Sequence, residues 1–285
     1  MRIGLFTALL LWSSAAFGAT PDDVTPTMGS TFKIVKVVET ESRRGDESTG
    51  SSYDRDTIIE RVVAVRDDGL ELEYSSPPRT DGEQGADNWQ LPARVLKLRS
   101  GRIQLLNAAE LEARVDPWLA KAGWTRAICD RWIFTWNAFH IDCDPASAVA
   151  IIKPFDLRPD ALRNGAPYHS ELALAAAPIR QTIASDGTST FVVELVIDPD
   201  GLRRAQAETD VTVGEIMGRK VTFDDALRKH TADTVSGTMV ISFETDATGE
   251  VKSRRTLTTI ETVDGDGKTE TRKTTETVER KREQK

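Results

Sequence analysis

The chain is poor in the residues from which reactive centres are usually built. Its 285 residues include two cysteines and three histidines. His140, His169 and His230 are not paired at helical spacing, and none stands at ligand distance from the cysteines, so the sequence offers no zinc site. The Gly-rich phosphate loop, the GxGxxG turn and the GxSxG nucleophile elbow are all missing. These absences leave nucleotide chemistry and α/β-hydrolase chemistry without support, and no cofactor and no metal are expected. Positive charge is also in deficit: the formal balance is −8, the wrong sign for neutralising phosphates, so no nucleic-acid partner is expected.

Long apolar runs are lacking too. The longest, Ile3 to Trp12, follows Met1 and Arg2 and falls well short of the ~20 residues of a spanning helix. A positive start, an apolar stretch and then Ala16-Phe17-Gly18 is the layout of a cleavable signal peptide over residues 1–18, with cleavage expected after Gly18. No transmembrane anchor is expected afterwards. No cysteine lies near the cut to carry a lipid. None of Asn88, Asn107, Asn137 or Asn164 begins a glycosylation acceptor, which leans toward a bacterial periplasm over a eukaryotic secretory route. The expected location is periplasmic or secreted. In that setting Cys129 and Cys143 read as one disulfide.

What the chain does have is alternating, β-branched sequence punctuated by Asp/Gly turns. Residues 19–29 read as a flexible leader. Residues 30–106 form an N-terminal β block: Thr31 to Glu39, then Tyr53 to Val65 after a polar connection over 43–52, then a return from Leu70 after Asp67-Asp68-Gly69, with Ser100-Gly101 joining a last hairpin. Residues 107–184 form a helical, aromatic-rich segment. Asn107 and Glu110 are spaced as a capping box for a helix over 108–122, and a short helix is expected before Ile152, with another turn near 158–162. Residues 185–279 form a C-terminal β block. There Phe191 to Ile197 leads into Asp198-Pro199-Asp200-Gly201, read as a turn, and a capped helix covers 222–230. A three-stranded meander follows, with Met239, Ile241 and Phe243 on one face and its threonine-rich, charged last arms expected to protect an edge. Residues 280–285 are a polar tail. The fold class is α+β, mainly antiparallel β: curved meander sheets or a half-barrel with a few short helices in the middle of the chain.

Two chemistry-like patterns are better read as structure. Asp198-x-Asp200-Gly201 and Asp264-x-Asp266-Gly267 open like calcium loops, but Leu202 and Lys268 occupy the next ligand position and no closing glutamate follows. His169-Ser170 is the one pair that a hydrolase could use, and adjacent residues rarely face each other productively.

Four of the five tryptophans beyond the signal fall between Trp118 and Trp136, around the cysteines. Such a cluster packs a core or lines a cavity. On the second reading Trp124, Trp132, Phe134, Trp136 and Phe139 are the candidate ligand-binding residues. The layout resembles that of periplasmic lipoprotein carriers and related lipid-binding half-barrels, which implies a curved sheet enclosing an apolar surface under the central helices. The function this implies is a non-enzymatic binding protein for an apolar small molecule or lipid in envelope biogenesis. The alternatives are an interaction module that offers a β-edge to an envelope protein, and a hydrolase.

Overall fold

A computed structural model describes residues 27–78, 88–134, 138–157 and 162–283. The signal-like segment, most of the leader and all but Leu162 of the turn expected near 158–162 lie outside these residues. Both β blocks enter one antiparallel sheet. Its strands are β1 (Thr31–Arg44), β2 (Glu47–Arg66), β3 (Gly69–Ser75), β4 (Ala93–Leu98), β5 (Ile103–Leu105), β10 (Arg180–Ile183), β11 (Ser189–Val196), β12 (Thr234–Thr245), β13 (Val251–Val263) and β14 (Thr269–Arg282). The spatial order is β10-β11-β12-β13-β14-β1-β2-β3-β4-β5. The sheet is curved and does not close into a barrel. The blocks meet where β1 pairs with β14, from Phe32 opposite Arg282 to Arg44 opposite Glu270.

Among the described residues two small ribbons lie outside this sheet: β6 (Arg131–Phe134) with β7 (Ala138–Ile141), and β8 (Pro167–Tyr168) with β9 (Ala177–Pro178). The helices are α1 (Ala108–Lys121), α2 (Ser147–Ile152), α3 (Pro199–Ile216) and α4 (Phe223–His230).

Side chains alternate across a strand, so the register identifies one covered face. Phe32 and Ile34 of β1 share it with Ile58 and Val62 of β2, Leu72 and Tyr74 of β3, and Ala93 and Val95 of β4; all are buried. Leu111, Val115 and Leu119 of α1 and Ile152 of α2 pack into the same cluster. Each fully buried aliphatic side chain contributes about 1.5–3 kcal/mol relative to exposure. A second cluster covers the far end of the same face, where Phe191, Val193 and Leu195 of β11 meet Met239, Ile241 and Phe243 of β12. Between the clusters the face turns polar: the row from Val193 and Ile241 continues through Thr256 and Glu276 to Val38. The Thr40 and Thr274 hydroxyls are 3.3 Å apart in this polar centre.

Five sequence expectations are corrected. Arg280, Lys281 and Arg282, expected to begin the polar tail, are the last residues of β14 and pair with β1, and Arg280 is buried. The threonine-rich arms are not an edge: β13 pairs with β12 and β14, and β14 with β13 and β1. The sheet ends instead on the short strands β10 and β5. Asp198-Pro199-Asp200-Gly201 starts a helix rather than a hairpin. Asp198 accepts from the Asp200 N–H as N-cap, and Pro199 sits in the first turn, where its missing donor costs nothing. Residues 43–52 are not a loop but extended backbone of β1 and β2, reversed tightly at Gly45, whose φ is +60°. Asn107 does not cap α1 with its side chain. Its Oδ1 accepts from the Arg94 N–H instead, and its amide donates to Glu110.

Gly69 also has a different role from the one its turn implied. A Cβ there would lie 2.1 Å from the Lys97 carbonyl, so glycine is required by the close approach of β3 to β4.

Candidate functional site

Among the described residues the most deeply buried charged pair lies at the seam between the blocks. Arg280 stands opposite Ile34 on β1, and Glu60 lies two residues beyond Ile58 on β2, so both side chains enter the covered face. Arg280 donates to Glu60 Oε1 through Nε at 3.1 Å and Nη2 at 2.6 Å, and through Nη1 to Glu250. Its guanidinium stacks 3.3 Å from the centre of the Phe32 ring. The Tyr74 hydroxyl donates to the other Glu60 oxygen at 2.8 Å. Beside this network, Ile34, Phe155, Leu157 and Val251 help enclose a space of about 20 Å³, room for roughly one water. The network locks β1, β2, β3 and β14 together. Its carboxylates are committed to arginine and tyrosine rather than poised as bases.

Glu250, at the rim, shows how the balance is struck. Burial pushes its pKa up, but hydrogen bonds from Lys252 and Arg280 and the charges of both residues more than offset this. The carboxyl is held below its ordinary range. The native state therefore binds fewer protons than the unfolded chain as the pH enters the carboxylate range. This contribution to stability is whole above the ordinary glutamate value and is lost as the pH falls through the lowered native one. Glu250→Gln is accordingly expected to reduce the steepness of acid destabilisation in denaturation series at neutral and acidic pH. An unchanged acid slope would show that Glu250 carries none of it.

The candidate aromatic residues separate in the structure. Trp124, just past α1, lies edge-on to Trp118 at 6.2 Å, and Trp118 lies 6.4 Å from Trp89. This row packs against the first core cluster. Trp132 is on β6, half-buried, with its ring 5.4 Å from the imidazole of His140 across the ribbon. The Cys129–Cys143 disulfide closes the base of that ribbon, as the sequence implied. Of Phe134 and Phe139 only the backbone is described, in β6 and β7; Trp136 lies outside the described residues.

Beside Trp132 the ribbon approaches α3. Arg131, Trp132, Glu215 and Ile216 enclose a depression of about 270 Å³. Sequence reasoning missed the α3 side of it. The available signal was Asp198 followed by Pro199 and then by Leu202-Arg203-Arg204-Ala205-Gln206-Ala207-Glu208, a run of strong helix formers behind a cap.

On the opposite face of the sheet, a broader groove of about 690 Å³ crosses β12, β13 and β14 and is lined by Arg255, Thr277, Ser242 and other polar residues. His169 is exposed, and the Ser170 hydroxyl accepts from the Leu172 N–H at 3.4 Å; no hydrogen bond joins the two among the described residues. No described helix is long and apolar enough to cross a membrane.

No family model and no curated protein matches the chain. Solved structures align only loosely. One is of lipovitellin and concerns its lipid–protein interactions, with TM-score 0.42, 9% identity, and coverage of 90% of this chain and 25% of that one. Another is Ail, the attachment invasion locus protein of Yersinia pestis, at TM-score 0.17, 4% identity, 90% and 100%. A third is an outer membrane channel from Pseudomonas putida F1, at TM-score 0.21, 8% identity, 93% and 100%. The chain spans 25% of the lipovitellin chain, and none of these similarities is high enough to define a shared fold.

Proposed function

We propose that this chain is an exported, non-enzymatic binding protein that takes an amphipathic, lipid-like ligand beside the disulfide-stapled ribbon. The observation that carries the reading is the composition of the depression at Trp132. An indole face and the Ile216 side chain offer apolar contact, while Arg131 and Glu215 stand at its margin to read a polar or charged head. Convergence of a few polar groups on apolar walls is the usual make-up of a small-molecule site. Export is supported by the signal-like residues 1–18 and by a disulfide between the only two cysteines.

The test is titration of the purified protein with a medium-chain fatty acid and a lysophospholipid, followed by native mass spectrometry. Trp132→Ala removes most of the apolar wall, and affinity is expected to fall about tenfold or more, the equivalent of burying one large side chain less. Trp118→Phe, in the core row, should leave affinity within about twofold, since a conservative swap there changes packing rather than the site. Absence of any bound amphiphile, or equal affinity in the Trp132→Ala protein, sinks the proposal.

A further inference from the structure

β2 is a long strand with a short neighbour. Its 20 residues pair with β1 from Glu47 to Arg61, but β3 reaches only as far as Ile59, opposite Ser75. Pro77 and Pro78 follow shortly, and neither can donate a ladder hydrogen bond. Among the described residues, no strand covers the outer side of β2 from Glu47 to Ile58, and residues 47–55 are all exposed. Among the described residues it is a longer uncovered edge than β10 or β5 offers at the ends of the sheet, and it is independent of the Trp132 depression.

Which groups it presents follows from the register. Val62 donates to Ser30 O and its carbonyl accepts from the Gly29 N–H, so even-numbered residues of β2 direct their backbone at β1. The pairing keeps this phase down to Gly50 opposite Ser42. Ser51, Tyr53, Arg55 and Thr57 therefore turn free N–H and C=O groups outward. We infer that a second copy of this chain adds to this edge, β2 against β2, antiparallel about a two-fold axis at Tyr53.

Charge and the aromatic pair together select that axis. A two-fold at Asp54 sets Asp54 against Asp54, and one at Arg55 sets arginine against arginine and Asp54 against Asp56; like charges directly opposite are destabilising. Centring on Tyr53 opposes no like charges. Ser52 then lies across from Asp54 twice over, within reach of a hydroxyl-to-carboxylate hydrogen bond, and Ser51 lies across from Arg55. The two Tyr53 rings, 61% exposed in one copy, meet at the centre as an aromatic cross-strand pair. Charge thus excludes the axes at Asp54 and Arg55, and among the remaining registers the Tyr53 axis alone pairs the two aromatic rings; the charges also discourage indiscriminate addition.

The experiment uses the full chain. Sedimentation velocity from about 1 to about 200 µM, the range expected of edge pairing with a modest area, should show a reversible dimer. Arg55→Pro removes an outward donor without touching the β1 ladder, and it should weaken the dimer about tenfold or more with unchanged far-ultraviolet circular dichroism. Tyr53→Cys gives a readout that does not depend on tolerating proline. Paired residues of this kind have Cα atoms about 5.5 Å apart, within disulfide reach, and the native cysteines are already bonded to each other. Mild oxidation should therefore yield a covalent dimer, while Ser185→Cys in a distant turn should not. A wild-type chain that stays monomeric throughout, a dimer untouched by Arg55→Pro in a folded protein, or Tyr53→Cys cross-linking no better than Ser185→Cys would each overturn the inference.

Discussion

Arg280→Met is expected to destabilise the protein by about 3–5 kcal/mol, the cost of leaving a buried partner charge without its counter-ion. The partner is Glu60, whose side chain is 2% exposed against 3% for Arg280. After the substitution one Glu60 oxygen keeps the Tyr74 hydroxyl and the other loses both donors that the guanidinium supplied. The double variant Arg280→Met, Glu60→Gln should recover much of the loss, because the neutral amide still accepts from Tyr74 and carries no charge to desolvate. Lys281→Met, one residue on but exposed, should change stability by no more than about 0.5 kcal/mol. Urea midpoints of the three proteins decide the matter. Equal losses in the single and double variants would assign the effect to lost packing on Phe32 rather than to the stranded carboxylate.

Removing the disulfide should have the next largest effect. Cys129 and Cys143 are 14 residues apart, and closing a loop of that size restricts the unfolded chain by about 3 kcal/mol in the chain-entropy account. Cys143 is also buried in the first core cluster, so serine there would place a hydroxyl among apolar neighbours. The Cys129→Ser, Cys143→Ser protein is expected to unfold at lower denaturant, and wild-type protein in reductant should move toward it while the double variant stays put. If wild-type midpoints are the same with and without reductant, the bridge contributes nothing to stability.

Local chemistry made much of this structure readable in advance. Met239, Ile241 and Phe243 alternate with polar residues and are buried on one face of β12. Asp264 folds the β13–β14 turn by accepting from the Asp266 and Lys268 N–H groups, and Thr222 caps α4 through the Asp225 N–H. Each of these signals lies within a few residues of its partner. The Arg280–Glu60 pair spans 220 positions, and in a chain with 37 basic and 45 acidic residues no spacing singles it out. α3 was hidden for another reason: Asp-Pro-Asp-Gly serves equally as a turn or as a helix cap, and only the sequence after it decides. The same holds for the aromatic cluster. Composition gathers Trp124 and Trp132 into one segment, whereas the fold sends one to the core beside α1 and the other to the ribbon facing α3.

The pairing of β1 with β14 sets the order in which the molecule can assemble. Strands nearest in sequence can zip into hairpins within microseconds, giving β1–β2 on one side and β12–β13–β14 on the other. The central seam must wait for two stretches more than two hundred positions apart to find each other, as Val38 does opposite Glu276. Such distant contacts raise the contact order and slow the final step. Until it occurs, Phe32 and Val278 have no common shelter, and two half-sheets with long naked margins coexist. A chain emerging one end first would remain pliable and exposed to rival pairings until nearly all of it had arrived.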